Sequence, residues 1–265
     1  MKFFFLSDIK YRLLYLLLLL PASQSLFSQT EDYGQFWNEY LFIRDINPKW
    51  GIDVAGGFRT SSVPGNSSFM SQVTRIHAKA GARCYISNRW TLFASFGYFL
   101  NRDVPELSQR KAPELRTSIQ ANYLVIKQRF RLGLKTGLED RHLKNDDNYF
   151  ESVFRLRLQL KGVYPLNGTV IKEKVLYSFL SDEVMFKTKS SVSGSSVFDR
   201  NRFNVGLGYS FVNDLQLEVS YVQDILPRHD RTVSYHVLQA NVIFTDFLPN
   251  FKKKYEREKT AIEGQ

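Results

Sequence analysis

The 265 residues carry 36 Lys and Arg against 26 Asp and Glu, a net charge of +10, and 15% of them are aromatic. So many rings exclude a disordered or low-complexity chain. The single cysteine, Cys84, excludes a disulfide framework, a zinc ribbon and a Cys-x-x-Cys redox pair.

Residues 1–28 have the layout of an export signal. Lys2, Lys10 and Arg12 form a positive start, Leu13 to Leu20 an apolar stretch, and Pro21 a break before the small residues Ala22, Ser23, Ser25 and Ser28. The apolar stretch is too short for a membrane-spanning helix, which needs about 20 residues. Cleavage after Ser25 or before Gln29 fits equally, and the mature protein is expected to leave the cytoplasm.

Downstream, apolar and polar residues alternate with period two, the signature of strands with one apolar face. Ahead of the regular segments, Phe36 to Arg44 looks like a further strand joined by a short turn at Asn47–Pro48, within a segment 29–48 that is either an extra strand or lies outside the wall. The pattern is regular over Trp50 to Phe58, Ile76 to Ile86 and Trp90 to Leu100. Next, Leu115, Thr117, Ile119, Ala121 and Tyr123 alternate with Glu114, Arg116, Ser118, Gln120 and Asn122. Phe130, Leu132, Leu134, Thr136 and Leu138 alternate with Arg129, Arg131, Gly133, Lys135, Gly137 and Glu139, and Phe154 to Leu160 with Arg155, Arg157, Gln159 and Lys161. Residues 173–186 alternate less cleanly. Phe203 to Phe211 and Leu215 to Tyr221 restore the rule, and 233–246 loosens it again.

A soluble sandwich and a membrane barrel both alternate, but strands of about 9–11 residues cross a bilayer, whereas soluble strands average about 5–6. Here the alternation persists for about 9–13 residues at a time, and the apolar faces carry no charge. The expected fold is all-β: an antiparallel up-and-down transmembrane barrel over residues 49–248, with a charged tail at 249–265. Ten strands are counted from Trp50 to Phe247, with twelve as the alternative, because single-chain bacterial barrels have even numbers.

Turns at Ser87–Asn88, Lys127–Gln128, Asn167–Gly168 and Asn213–Asp214 alternate with longer polar connections near 60–71, 101–113, 140–149, 187–201 and 226–232. Short turns belong in the periplasm and long loops outside. Trp50, Trp90, Tyr123, Phe130, Tyr164 and Phe211 then form a periplasmic aromatic girdle, and Phe58, Tyr98, Phe154, Phe203 and Tyr221 an outer one.

The motifs Glu114-x-Arg116, Arg129-x-Arg131, Glu139-x-Arg141, Arg155-x-Arg157, Glu183 and Phe198-Asp199-x-Asn201-Arg202, with Trp37 and the Trp50 strand, carry a resemblance. The chain resembles a domain-of-unknown-function family of Gram-negative outer-membrane β-barrel proteins with paired Arg and Glu on successive strands. That resemblance implies location and fold without implying chemistry.

The inward face is basic. Its expected charge network comprises Glu114, Arg116, Arg129, Arg131, Lys135, Glu139, Arg155, Arg157, Glu183 and Arg202, with Arg75, Lys79, Arg83, Arg141 and Lys161 adding positive charge and Asp53 and Glu218 negative charge. Small barrels fill with side chains, and buried arginine is cheapest when paired with carboxylate. One reading is therefore a filled lumen in a structural or interactive protein. The alternative is a narrow anion-selective passage or an anion-binding barrel, since cations outnumber acids. A lipid hydrolase is a distant third, because His77, His142, His229 and His236 are scattered and a general base needs positioned partners.

Cofactors and metals are not expected: the chain has no Walker or dinucleotide glycine motif, and Asp146–Asp147 reads as a solvated turn. The basic residues alternate with apolar ones instead of forming a nucleic-acid-binding stripe. The expected partners are outer-membrane lipids and, under the alternative, small anions, with the barrel monomeric. Cys84 has the parity of a lipid-facing filler.

Overall fold

A computed structural model describes residues 30–107, 109–145, 148–212, 214–228 and 231–245. The signal segment, the C-terminal tail, Asp146–Asp147 and His229 lie outside these. Eleven strands follow one another: β1 Thr30–Asp45, β2 Trp50–Ser61, β3 Gln72–Tyr85, β4 Trp90–Asn101, β5 Ala112–Lys127, β6 Arg131–Lys144, β7 Phe150–Pro165, β8 Val175–Lys187, β9 Phe198–Val212, β10 Leu215–Pro227 and β11 Thr232–Thr245. A short 3-10 turn at Pro105–Leu107 interrupts the β4–β5 connection.

Each strand pairs antiparallel with its sequence neighbours, and β1 pairs with β11 in parallel to close the barrel. The expected count of ten or twelve is thereby corrected to eleven. The even-number rule holds only when the closing pair is antiparallel. Here the Phe36 to Arg44 segment belongs to the wall, and a fourteen-pair parallel seam from Thr30↔Thr232 to Ile43↔Thr245 admits an odd number. The start of β1 consequently shares a rim with the β10–β11 connection, and β1 and β11 both end at the opposite rim.

The two rims differ, though less sharply than the sequence suggests. Three ten-residue connections, 62–71, 102–111 and 188–197, lie at one rim. At the same rim the β6–β7 connection is shorter than the expected 140–149, because β6 runs on to Lys144 and β7 begins at Phe150. The other rim has tight turns, except that Asn167 sits in a nine-residue connection, 166–174. Its side chain replaces backbone pairing there, donating to the Lys174 carbonyl at 3.1 Å and accepting from the Leu176 N–H at 2.8 Å.

The strands are 12 to 16 residues long. A 14-residue strand at about 3.4 Å per residue, tilted about 40°, spans roughly 36 Å. Period two then sorts the side chains. Thirty-six large apolar side chains are exposed among the described residues, whereas only fourteen hydrophobic residues are buried. The buried set also contains Glu114, Glu139, Arg141, Arg155, Glu183, Asp199 and Asp224. Apolar side chains line the outside and charged ones the inside, the reverse of a water-soluble barrel. On the outside, Trp90 packs on Tyr123 at a centroid distance of 4.6 Å, and Phe42 stacks on Phe244 across the seam at 4.8 Å.

Candidate functional site: a closed ring of charge in the lumen

Alternation aims Glu139 of β6, Arg155 and Arg157 of β7, Glu183 of β8, and Arg200 and Arg202 of β9 into the lumen. Asp224 of β10 joins them, on the same inward face as Glu218, Ser220 and Val222. Asp199 needs a further device. The β8–β9 register jumps between Met185↔Arg200 and Phe186↔Phe198, and this bulge leaves Asp199 as the extra residue. Asp199 and Arg200 both point inward as a result, and Arg200 Nε donates to Asp199 Oδ2 at 3.1 Å.

These eight side chains form a closed cycle. Arg155 donates to Glu139 through Nε at 2.8 Å and also through Nη2. On its other side, Arg155 Nη1 reaches Asp199 Oδ2 at 3.2 Å. Arg200 bridges Asp199 and Asp224, the latter at 3.1 Å, and Arg202 Nη2 meets the same Asp224 oxygen at 3.1 Å. Arg202 Nη1 approaches Glu183 Oε2 at 3.9 Å. Arg157 grips Glu183 with two parallel bonds of 2.9 Å and returns to Glu139 Oε1 at 2.5 Å. The four carboxylates are at most 2% exposed. A buried charge left alone is costly, and here each carboxylate meets at least two arginines, so each charge in the ring is compensated by its neighbours.

A branch extends along β5 and β6. Glu114, fully buried, accepts from Arg116 and Arg141, and Arg116 approaches Glu139 at 4.0 Å. Lys135 lies at the edge, with Nζ 3.8 Å from Glu183. An apolar patch of Trp37, Val222 and Val237 packs beside the ring. The Trp37 indole is flanked by two guanidiniums, Arg59 at 3.7 Å and Arg202 at 4.8 Å from its ring centre.

Toward the short-turn rim the filling becomes aromatic. Tyr177 Oη donates to Glu218 Oε1 at 3.0 Å, and Lys161 Nζ lies 4.6 Å from the centre of the Phe179 ring. Both rings lie across glycines of β9. A Cβ on Gly208 would stand 2.1 Å from Tyr177 Cζ, and one on Gly206 would stand 2.6 Å from Phe179 Cζ. Nearby, Asp53 pairs with Arg83 and Glu39 with Lys79.

Of the ten expected network residues, eight come together. Arg129 lies in the β5–β6 turn, over Tyr164 at 4.7 Å, and donates to the Pro165 and Leu166 carbonyls. Arg131 is exposed at the first position of β6. Strand parity extended Arg129 into what is in fact a turn. Arg200, Asp224, Glu39 and Arg59 are not among the expected lumen charges, and Asp199 figures only in the resemblance motif. Continuing the alternation of Leu215–Tyr221 by three residues would have found Asp224, whereas the bulge that turns Asp199 inward has no sequence signal.

Two histidines face outward near the long-loop rim. Asp140 accepts from Ser152 Oγ and lies 3.2 Å from His142 Nε2. His236 meets Tyr221 Oη at 2.6 Å and Asp32 at 3.3 Å. In the first cluster the carboxylate stands between hydroxyl and imidazole, an order in which the imidazole does not take the hydroxyl's proton. His77 faces the lumen, with Nε2 3.2 Å from Glu39. Among the described residues no three His, Cys, Asp or Glu side chains are grouped to hold a metal ion.

No curated protein sequence matches the chain. A solved structure titled "Bacterial polysaccharide outer membrane secretin" is similar at 15% identity, with a TM-score of 0.47, covering 73% of this chain. The match takes in 63% of that structure's chain, less than two thirds of its length. Residues 34–235, from early β1 into β11, match one family throughout, and the chain belongs to that family, Protein of unknown function (DUF2490).

Proposed function

We propose that the protein is an integral outer-membrane barrel whose lumen is closed by the charged ring, acting as a scaffold or docking platform instead of an open pore. The observation that carries this reading is the inside-out distribution of side chains: exposed apolar residues all around the wall and buried ion pairs within. Lipid is the solvent that rewards such an exterior. The export-like start of the sequence and strands long enough to cross a bilayer support the same placement. The ten-residue loops would then face outward and the tight turns the periplasm. The reading involves no catalysis and no cofactor.

The test is fractionation of cells expressing the full chain, with gel migration compared before and after heating. Recovery in the outer membrane with heat-modifiable migration is expected. A soluble protein whose migration is unaffected by heat would refute the membrane reading.

One observation favours a second reading, a narrow anion passage. Lys79, Lys135 and Lys161 line the lumen on the short-turn side of the ring, and each remains one-quarter or more exposed. In that case Lys135→Gln would lower chloride preference while leaving the fold intact.

A further inference from the structure

Two lumen arginines stand outside the ion-pair network. Arg59 and Arg75 are direct cross-strand partners on β2 and β3, both facing inward. Like charges placed directly opposite one another repel. Among the described residues, neither guanidinium comes within 4.0 Å of a carboxylate oxygen. Arg59 is held by the Trp37 face, and Arg75 by one bond from Nε to Asn101 Oδ1 at 2.7 Å. The carboxylates that act on them from farther away are already shared: Glu114 by Arg116 and Arg141, Asp224 by Arg200 and Arg202.

Both arginines lie next to the 62–71 connection, and both side chains are half-buried. Two pairs further in, His77 is nine-tenths buried and its Nδ1 has no partner. Each guanidinium offers a planar fork that matches the oxygens of an oxyanion. The ring neutralises itself, and this pair does not.

We infer that Arg59 and Arg75 form an anion site in the outer vestibule of the barrel, which takes a phosphate-class oxyanion, either free or carried on a lipid headgroup. The anion supplies the negative charge that the wall lacks at this level, and its acid hydroxyl is a donor of the kind that His77 Nδ1 is missing. The site needs only the barrel. It therefore stands or falls separately from membrane residence and from closure of the lumen.

The test uses the full-length mature barrel in detergent micelles, with Trp50 and Trp90 changed to Phe so that emission reports Trp37 beside Arg59. Inorganic phosphate is titrated at constant ionic strength, with chloride as the balancing anion. A saturable change is expected. Arg59→Gln and Arg75→Gln should each weaken the apparent affinity at least tenfold, while Arg231→Gln, at the rim beside Glu31, leaves it unchanged. Heat-modifiable migration checks that each variant is folded. Arg75→Lys keeps the charge, loses the fork, and should weaken affinity several-fold. In a parallel titration, monododecyl phosphate is doped into the micelles. A response to that probe alone, lost in the same variants, would support the site with the headgroup as its source. A flat wild-type response to both probes, or equal responses in wild type and both glutamine variants, would overturn the proposal.

Discussion

Glu139→Gln removes one member of the ring while keeping its size. Glu139 is 2% exposed, accepts from Arg155 and Arg157, and has Arg116 at 4.0 Å. Removing one partner of a buried ion pair costs about 3–5 kcal/mol, because the other charge is left uncompensated. Here Arg155 keeps Asp199 at 3.2 Å and Arg157 keeps Glu183 at 2.9 Å, so the loss belongs at the lower end, about 3 kcal/mol. Lys135→Gln is the contrast. Its ammonium lies 3.8 Å from Glu183 and is one-quarter exposed, which places it nearer a surface pair worth about 1 kcal/mol or less. Urea unfolding in phospholipid vesicles, followed by tryptophan fluorescence, measures both. Combined with Arg155→Gln, Glu139→Gln should also show a coupling energy above about 1 kcal/mol, as expected within one network. Equal losses for Glu139→Gln and Lys135→Gln, or a Glu139→Gln barrel as stable as wild type, would refute the ring as a unit of stability.

Three further outcomes follow from the two faces and the two rims. Leu134 is exposed on the outside beside inward-facing Lys135, so Leu134→Arg should destabilise the vesicle-embedded barrel by about 2–4 kcal/mol if it lies near the bilayer midplane. Gly208→Ala forces a Cβ against the Tyr177 ring and should cost about 1–3 kcal/mol in the same assay; Gly133→Ala, whose nearest neighbour is 3.9 Å away, should cost far less. With Cys84 replaced, a cysteine at Ser195 should react with an impermeant thiol reagent on intact cells and one at Asn167 should not, while the reverse pattern would invert the barrel.

The fold was legible because period two is a local rule. It assigned inside and outside correctly on β3 to β7, where Arg75, Arg116, Glu139, Arg155 and Arg157 all face the lumen. The strand count was not legible. β1 could be suspected as an extra strand at Phe36 to Arg44, but closure through a parallel seam depends on which strand lies across from it, and no residue encodes that locally. Individual members of the charge network could be read, but not the ring. Parity supplied Arg202 and Glu183, yet the cycle closes only through Asp199, which a bulge turns inward, and Asp224, which lies beyond the clean alternation of β10. Arg129 was misplaced for the opposite reason: the period continued on paper past the point where the chain turns.

Planar-bilayer recording of the purified wild-type barrel tests the central claim, a lumen closed by its own charges, most directly. With Glu139, Glu183, Asp199 and Asp224 locked to Arg155, Arg157, Arg200 and Arg202 on the inward faces of β6 to β10, the proposed closed lumen predicts that a membrane holding inserted protein shows no resolved conductance steps. Stable open-channel steps, chloride-selective or not, would contradict the closed lumen.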